Sequence, residues 1–151
     1  MNMLKKGLLG TALGFGLVSV AADHLCLIHS ETDSLPYRTF LMLKKVTPQK
    51  GQYTCYESQL YGQKIIKEIA GTSGDKLTYD QDGALWVGHR KIGKPKRRRS
   101  NGRILTPIAA GVIPEGYVFL KGDHTRSFDS RYQELGLVPQ KALQGRLIGL
   151  V

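Results

Sequence analysis

Residues 7–22, GLLGTALGFGLVSVAA, run for sixteen positions without a charge; the lysine-bearing MNMLKK precedes them, and Asp23 and His24 close the run. As a helix, sixteen residues at ~1.5 Å each reach about 24 Å, short of a ~30 Å hydrocarbon core. Met3 and Leu4, or Leu25 to Ile28, can lengthen the buried stretch. Two readings fit. One is a cleaved signal segment, since Val20-Ala21-Ala22 ends in small residues. The other is an uncleaved single anchor. Both keep the lysine flank inside and export everything after residue 23. A buried core helix is the competing account, and the lysine flank at the extreme N-terminus opposes it. Residues 1–23 are therefore read as an anchor or signal segment, and 24–151 as one exported domain.

That domain is expected to be β-rich. Glycine supplies 18 of the 151 residues, against a usual share of ~7%, and favours turns over long helices. Period-2 stretches predict strands over Arg38–Leu43, Gln52–Glu57, Lys64–Ala70, Lys76–Tyr79, Ala84–Val87, Arg103–Leu105, Tyr117–Lys121 and Arg146–Leu150. Asp82-Gly83 predicts a hairpin turn between the fourth and fifth of these. No amphipathic helix of ten residues and no internal repeat follows the anchor.

The charge is local. Lys and Arg number 22 against 12 acids, a net +10. Residues 90–103, RKIGKPKRRRSNGR, hold eight cations and no acid, so the rest of the chain carries 14 cations against 12 acids, only +2. Gly93, Pro95, Ser100 and Gly102 make this segment read as a flexible loop. It is either a solvated insertion, a contact for anionic lipid headgroups, or a contact for an acidic protein. Nucleic acid is disfavoured, because an exported domain would not meet it and no aromatic residues interleave the charges.

Three positions could carry chemistry. A strand through Lys64-Ile65-Ile66-Lys67-Glu68-Ile69-Ala70 places Lys67 between Ile65 and Ile69 on one face. Burial there lowers a lysine pKa and makes a general base; the alternative is an edge lysine reaching water. Ser34 precedes Leu35-Pro36, a rigid corner able to hold a serine exposed, although a plain turn serine has the same signature. The stretch Gly122-Asp123-His124-Thr125-Arg126-Ser127-Phe128-Asp129-Ser130-Arg131 is dense in hydrogen-bonding groups and leaves the apolar run Gly116–Leu120.

Taken together, the order of blocks is informative. It runs from the anchor through Ser34-Leu35-Pro36 and a lysine before Gly71-Thr72-Ser73-Gly74-Asp75. Pro114-Glu115-Gly116-Tyr117-Val118-Phe119-Leu120-Lys121-Gly122-Asp123 and Ser127-Phe128-Asp129-Ser130-Arg131 follow. This resembles the type I signal peptidase family, and Ser-Leu-Pro is most like its TraF-type conjugative-transfer branch. The resemblance implies a serine–lysine dyad: Ser34 as nucleophile and Lys67 as general base. It implies an oxyanion hole from the Thr32 hydroxyl and the Ser34 backbone N–H. Ser127 would orient the lysine amine, and Asp129 and Arg131 would form a structural ion pair. Departures from the pattern are the absent proline in Gly71–Asp75, Glu68 for an arginine, His124 for an asparagine and Arg38 for a glycine.

The implied fold is mainly β: signal-peptidase-like curled antiparallel sheets behind one N-terminal transmembrane helix. The implied function is a membrane-anchored serine endopeptidase of the bacterial inner membrane, its domain on the periplasmic side. It would cleave leader peptides after small residues and mature a conjugative pilin subunit, with water or a substrate amine resolving the acyl-enzyme. Its partners would be an exported precursor or pro-pilin, membrane lipid and the conjugation machinery, with no cofactor. Alternatives are a general leader peptidase, a non-catalytic component of the conjugation apparatus, and a self-cleaving repressor-type regulator, which would have no reason to carry an anchor. Cys26 and Cys55 lie on the exported side, where a disulfide is one of two open states. His24, His29, His89 and His124 lack zinc-ligand spacing and read as surface residues.

Overall fold

The computed structural model describes residues 23–31, 34–58, 62–96 and 102–151. Of the anchor expected over 1–23, residues 1–22 lie outside the described residues, and among those described no helix is long and apolar enough to cross a membrane.

Eleven strands form two antiparallel sheets. They are β1 (Leu25–His29), β2 (Thr39–Leu43), β3 (Tyr53–Ser58), β4 (Gln63–Thr72), β5 (Lys76–Tyr79), β6 (Leu85–Val87), β7 (Arg90–Gly93), β8 (Gly111–Val112), β9 (Tyr117–Lys121), β10 (Val138–Pro139) and β11 (Leu143–Gly149). The larger sheet has the order β1-β2-β11-β3-β4-β9-β10, and the smaller β7-β6-β5-β8. The chain is thus mainly β, as its alternating pattern predicts.

Several expectations need correction. Leu25 to Ile28 belong to β1 rather than to a lengthened apolar helix. Arg90–Gly93 is not loop but β7, because Ile92 is buried in the small-sheet core and Leu85, Trp86 and Val87 pair with this segment. Arg103–Leu105 forms no named strand; nearby, Pro107 makes a lone bridge to Tyr132, and proline cannot donate to a ladder.

The Asp82-Gly83 turn forms as predicted. Asp80 Oδ1 accepts from the N–H groups of Asp82 and Ala84, and Gly83 adopts φ 76°, a conformation glycine reaches without steric cost.

Three apolar clusters hold the sheets. Leu35, Phe40, Met42, Cys55, Ile66 and Leu147 fill the inside of the large sheet. Tyr37, Phe40 and Tyr53 meet there edge to face, with ring centroids 5.7–6.0 Å apart. Ile69, Val118, Leu120 and Val138 form a second cluster. Ala70, Leu77, Leu85, Val87, Ile92, Ile113 and Phe119 bind the small sheet to the large one. Strand β4 serves both sheets. Gly71 lies where a Cβ would meet Val87 Cγ1 at 2.4 Å and Ile113 Cδ1 at 2.8 Å, so only glycine lets the sheets approach this closely. The Arg90 guanidinium adds a bidentate bond to the Glu68 carboxylate, tying β7 to β4 beside Lys67.

Among the described residues, the large sheet is unpaired along one side of β10, which pairs only with β9, and at two further edges. β1 pairs only with β2. β4 pairs with β3 from Gln63 to Glu68, while β9 covers its other side only from Glu68 onward. Residues 63–67 therefore present an edge with no neighbouring strand among the described residues.

Candidate active site

Ser34 sits between β1 and β2. Leu35 is buried in the inner cluster and Pro36 fixes the next step, so the corner is held from one side. From the other side the Asp123 N–H donates to the Ser34 carbonyl at 2.7 Å, and His124 N–H at 3.4 Å.

Lys67 lies mid-way along β4, opposite the fully buried Thr54 of β3. Its side-chain neighbours on the strand face are Ile65, half-buried, and Ile69, fully buried, which is the apolar setting that the sequence predicts. Lys67 is 5% exposed, and its Nζ donates to Ser34 Oγ at 3.2 Å. Burial pushes its ammonium down from 10.5 to about 8; nearby Arg131 adds to this, while Asp129 and Asp123 oppose it. Roughly a tenth of such a lysine is neutral at pH 7, against about one part in 3,000 for an ordinary one.

The polar stretch 122–131 folds around its own ion pair. Asp129 is fully buried and Arg131 nearly so. Arg131 Nε and Nη2 donate to Asp129 Oδ1 and Oδ2 at 2.8 and 2.7 Å. The same carboxylate accepts from the backbone N–H of Gly122 at 2.9 Å and of Arg131 at 3.2 Å. Arg131 Nη2 also reaches the carbonyls of His124 and Ser127. The turn carrying Ser127 is thereby closed on the loop that clamps Ser34. Ser127 Oγ is buried and has no hydrogen-bond partner among the described residues. It lies beside Ser34 and Lys67 in the same groove but does not bond the lysine amine. Gly122 is tightly placed: a Cβ there would meet Ser127 Oγ at 2.0 Å and the Ser34 carbonyl at 3.2 Å.

A groove of about 710 Å³ opens over these groups. Ile28 and His29 of β1, with Ser30 and Glu31 just after it, and Gln63–Lys67 of the open β4 edge flank it, and His124, Arg126, Ser127 and Phe128 border it as well. Another cavity of about 660 Å³ lies elsewhere, lined by Lys44, Lys45, Tyr117 and Lys141 among others, and contains none of these residues.

A sequence model described as signal peptidase, peptidase S26, matches residues 3–150. The chain belongs to this family. The conjugal transfer protein TraF of Agrobacterium fabrum strain C58 is 44% identical over 82 residues, covering 54% of this chain and 45% of that protein. The match thus spans a little under half the length of that relative. A crystal structure of a signal peptidase I from Enterococcus faecalis V583 aligns with a TM-score of 0.45 and 26% identity, over 67% of this chain and 97% of the other.

Within this signal peptidase family member, the structure brings together Ser34, Lys67 and Ser127 and forms the Asp129–Arg131 pair. Thr32, expected to donate to an oxyanion, lies outside the described residues. Glu68, a departure from the family pattern, has its carboxylate occupied by Arg90. Cys26 and Cys55 are free thiols, and burial pushes Cys55 up to about 11. Four features went unread in the sequence: the packing of Gly122 under Ser127, the shared groove of Lys64 and Arg126, the Glu68–Arg90 tie and the strand character of β1. The Glu68–Arg90 tie and the shared groove join segments far apart in the chain, Gly122 and Ser127 meet through the closure of their own turn, and none of the four has a local signature.

Proposed function

We propose that this protein is a membrane-anchored serine endopeptidase with a Ser34–Lys67 dyad, which cleaves leader peptides after small residues and matures a conjugative pilin subunit. The observation that carries the reading is the 3.2 Å contact between Lys67 Nζ and Ser34 Oγ, on a lysine buried enough to lose its proton near neutral pH. The conjugative assignment draws on the likeness to the Agrobacterium conjugal transfer protein.

An extended substrate adds as a strand to the open edge of β4 and faces β1 across the groove. Ile28, Ile65 and Phe128 give the groove apolar walls suited to small side chains. Neutral Lys67 takes the Ser34 proton as Oγ attacks the scissile carbonyl. The resulting oxyanion is held by the Ser34 N–H and the Thr32 hydroxyl, a type of contact worth ~10²–10³ in rate. Protonated Lys67 then gives its proton to the leaving amine. Water, or an amine of the substrate itself, releases the acyl group. Residues 1–22 hold the enzyme in the bacterial inner membrane with this domain on the periplasmic side, close to lipid, precursor and conjugation machinery.

The test is the intact mass of a pro-pilin co-expressed with wild type, Ser34→Ala or Lys67→Ala. Only wild type should process it. A product one water lighter than the linear cleaved chain marks cyclisation, and the linear mass marks hydrolysis. Equal processing by both variants would sink the dyad and leave a non-catalytic assembly role.

Gly122→Ala tests the clamp behind the serine. The added methyl must displace Ser127 and press on the Ser34 carbonyl. A misplacement near 1 Å costs about 10²-fold in rate, while overpacking of this kind costs ~1–3 kcal/mol of stability. Cleavage kinetics and thermal melts on the same sample separate the two. Wild-type kcat/KM in a folded Gly122→Ala enzyme would show that the clamp does not position Ser34.

A further inference from the structure

The side chains that line the groove beyond the reacting groups are unequal in charge. Lys64 and Arg126 are exposed cations on its walls, on either side of Lys67 and Ser127. Among the described lining residues, Glu31 is the one carboxylate. Elsewhere Lys50, Arg90, Lys91, Lys121 and Arg131 are each paired with an acid. Among the described residues, Lys64 and Arg126 have no such partner. Two residues lie between Lys64 and Lys67, so the pair stands about 10 Å apart along the strand, with Lys64 on the opposite face from Lys67 and across from Glu57 of β3. Arg126 immediately precedes Ser127. A peptide added at the open β4 edge lies in the plane of the sheet, with Lys64 and Arg126 both among the side chains that line its groove. Cations of one sign on the walls of a cleft concentrate the field along it.

We propose that the groove selects precursors bearing an acidic residue within a few positions of the scissile bond, recognised by Lys64 and Arg126. The proposal rests on the groove being the peptide-binding site, and it adds a charge preference to the small-residue requirement.

The test uses the full chain in non-ionic detergent, as the Ser34→Ala protein, so that binding is read without cleavage. Fluorescent peptides share one neutral sequence with small residues at the centre. Each carries a single Asp, Asn or Lys, moved through the positions around the expected cut. The expected result is about three- to fivefold tighter binding for Asp than for Asn at one position or more, the size of an exposed charge pair. Lys at that position should bind more weakly than Asn, and the difference should shrink as salt rises. Arg126→Glu or Lys64→Glu should reverse the order at the position facing the changed residue. Both sites are exposed, so folding should survive either change. Asp and Asn peptides binding within twofold everywhere would overturn the proposal. So would a preference for Lys, or an Asp preference untouched in both variants. Cleavage by wild type is read separately: its absence counts against the Ser34–Lys67 reading, while loss of the charge preference counts only against this one.

Discussion

Lys67→Met should abolish peptide cleavage and yet make the protein more stable at neutral pH. Loss of the general base from a serine–base pair costs at least ~10³ in turnover. The stability gain follows from burial. Lys67 falls from 10.5 to about 8 on folding, so between those values the unfolded chain holds a proton that the folded chain has released. Stability therefore rises with pH across that window, and below about 8 the folded state bears the whole penalty. A shift of this size corresponds to something on the order of 3 kcal/mol. The lost bond to Ser34 offsets about 1 kcal/mol of it. Thermal melts should place Lys67→Met above wild type at pH 6–7, with the gap closing towards pH 10.5. With Lys67 as the proposed general base, the same titration sets the pH profile: kcat/KM should climb about tenfold per pH unit below about 8 and level off above it. A flat profile from pH 6 to 9 in a folded enzyme would rule out Lys67 as the base, and a Met variant less stable than wild type at pH 7 would rule out the burial penalty.

Asp129→Ala should be the most damaging single change to the fold of the site. It strips four donors of their acceptor, from Gly122 N–H and from three nitrogens of Arg131. The Arg131 guanidinium is left buried with its charge uncompensated. Breaking such a pair costs ~3–5 kcal/mol, or a fall in melting temperature of roughly 10 °C for a chain of this size. Cleavage should fall as well, even at low temperature, because Arg131 also holds the carbonyls of His124 and Ser127. Replacing both partners with apolar residues, Asp129→Leu with Arg131→Met, should recover part of the stability, since no orphaned charge remains. A melting temperature within about 2 °C of wild type for Asp129→Ala would show that the pair is not structural.

Most of the large sheet was legible as short β-branched, aromatic and aliphatic runs set between turn residues. Thr39–Leu43 alternates buried and half-buried side chains, Tyr53–Ser58 and β4 alternate only in part, and Asp82-Gly83 names its turn by chemistry alone. β7 was hidden because its cations outweigh its one buried residue, Ile92, in any local reading. β1 was hidden because LCLIH continues the apolar character of the run before it. At the site, the isoleucines around Lys67 left an edge lysine and a buried base both open, and only the order of blocks singled it out. Ser34 was readable only together with the other blocks, since a serine before Leu-Pro is common in turns. The positions of Gly122, Lys64 and Arg126 were beyond reach, because each is defined by what the closed chain brings against it.

Among the described residues, the open edges of β1 and β4 leave room for one further strand. The vacancy is filled by backbone hydrogen bonds that any extended polypeptide can offer, so occupancy as such carries little information about sequence. Discrimination falls to the walls and to the chemistry step, and a non-cognate chain of suitable shape becomes a competitor simply by being extended. Among many unfolded chains, strands that are not cut compete with the right one for the same edge. The effective rate on the right precursor then depends on how quickly the wrong ones leave.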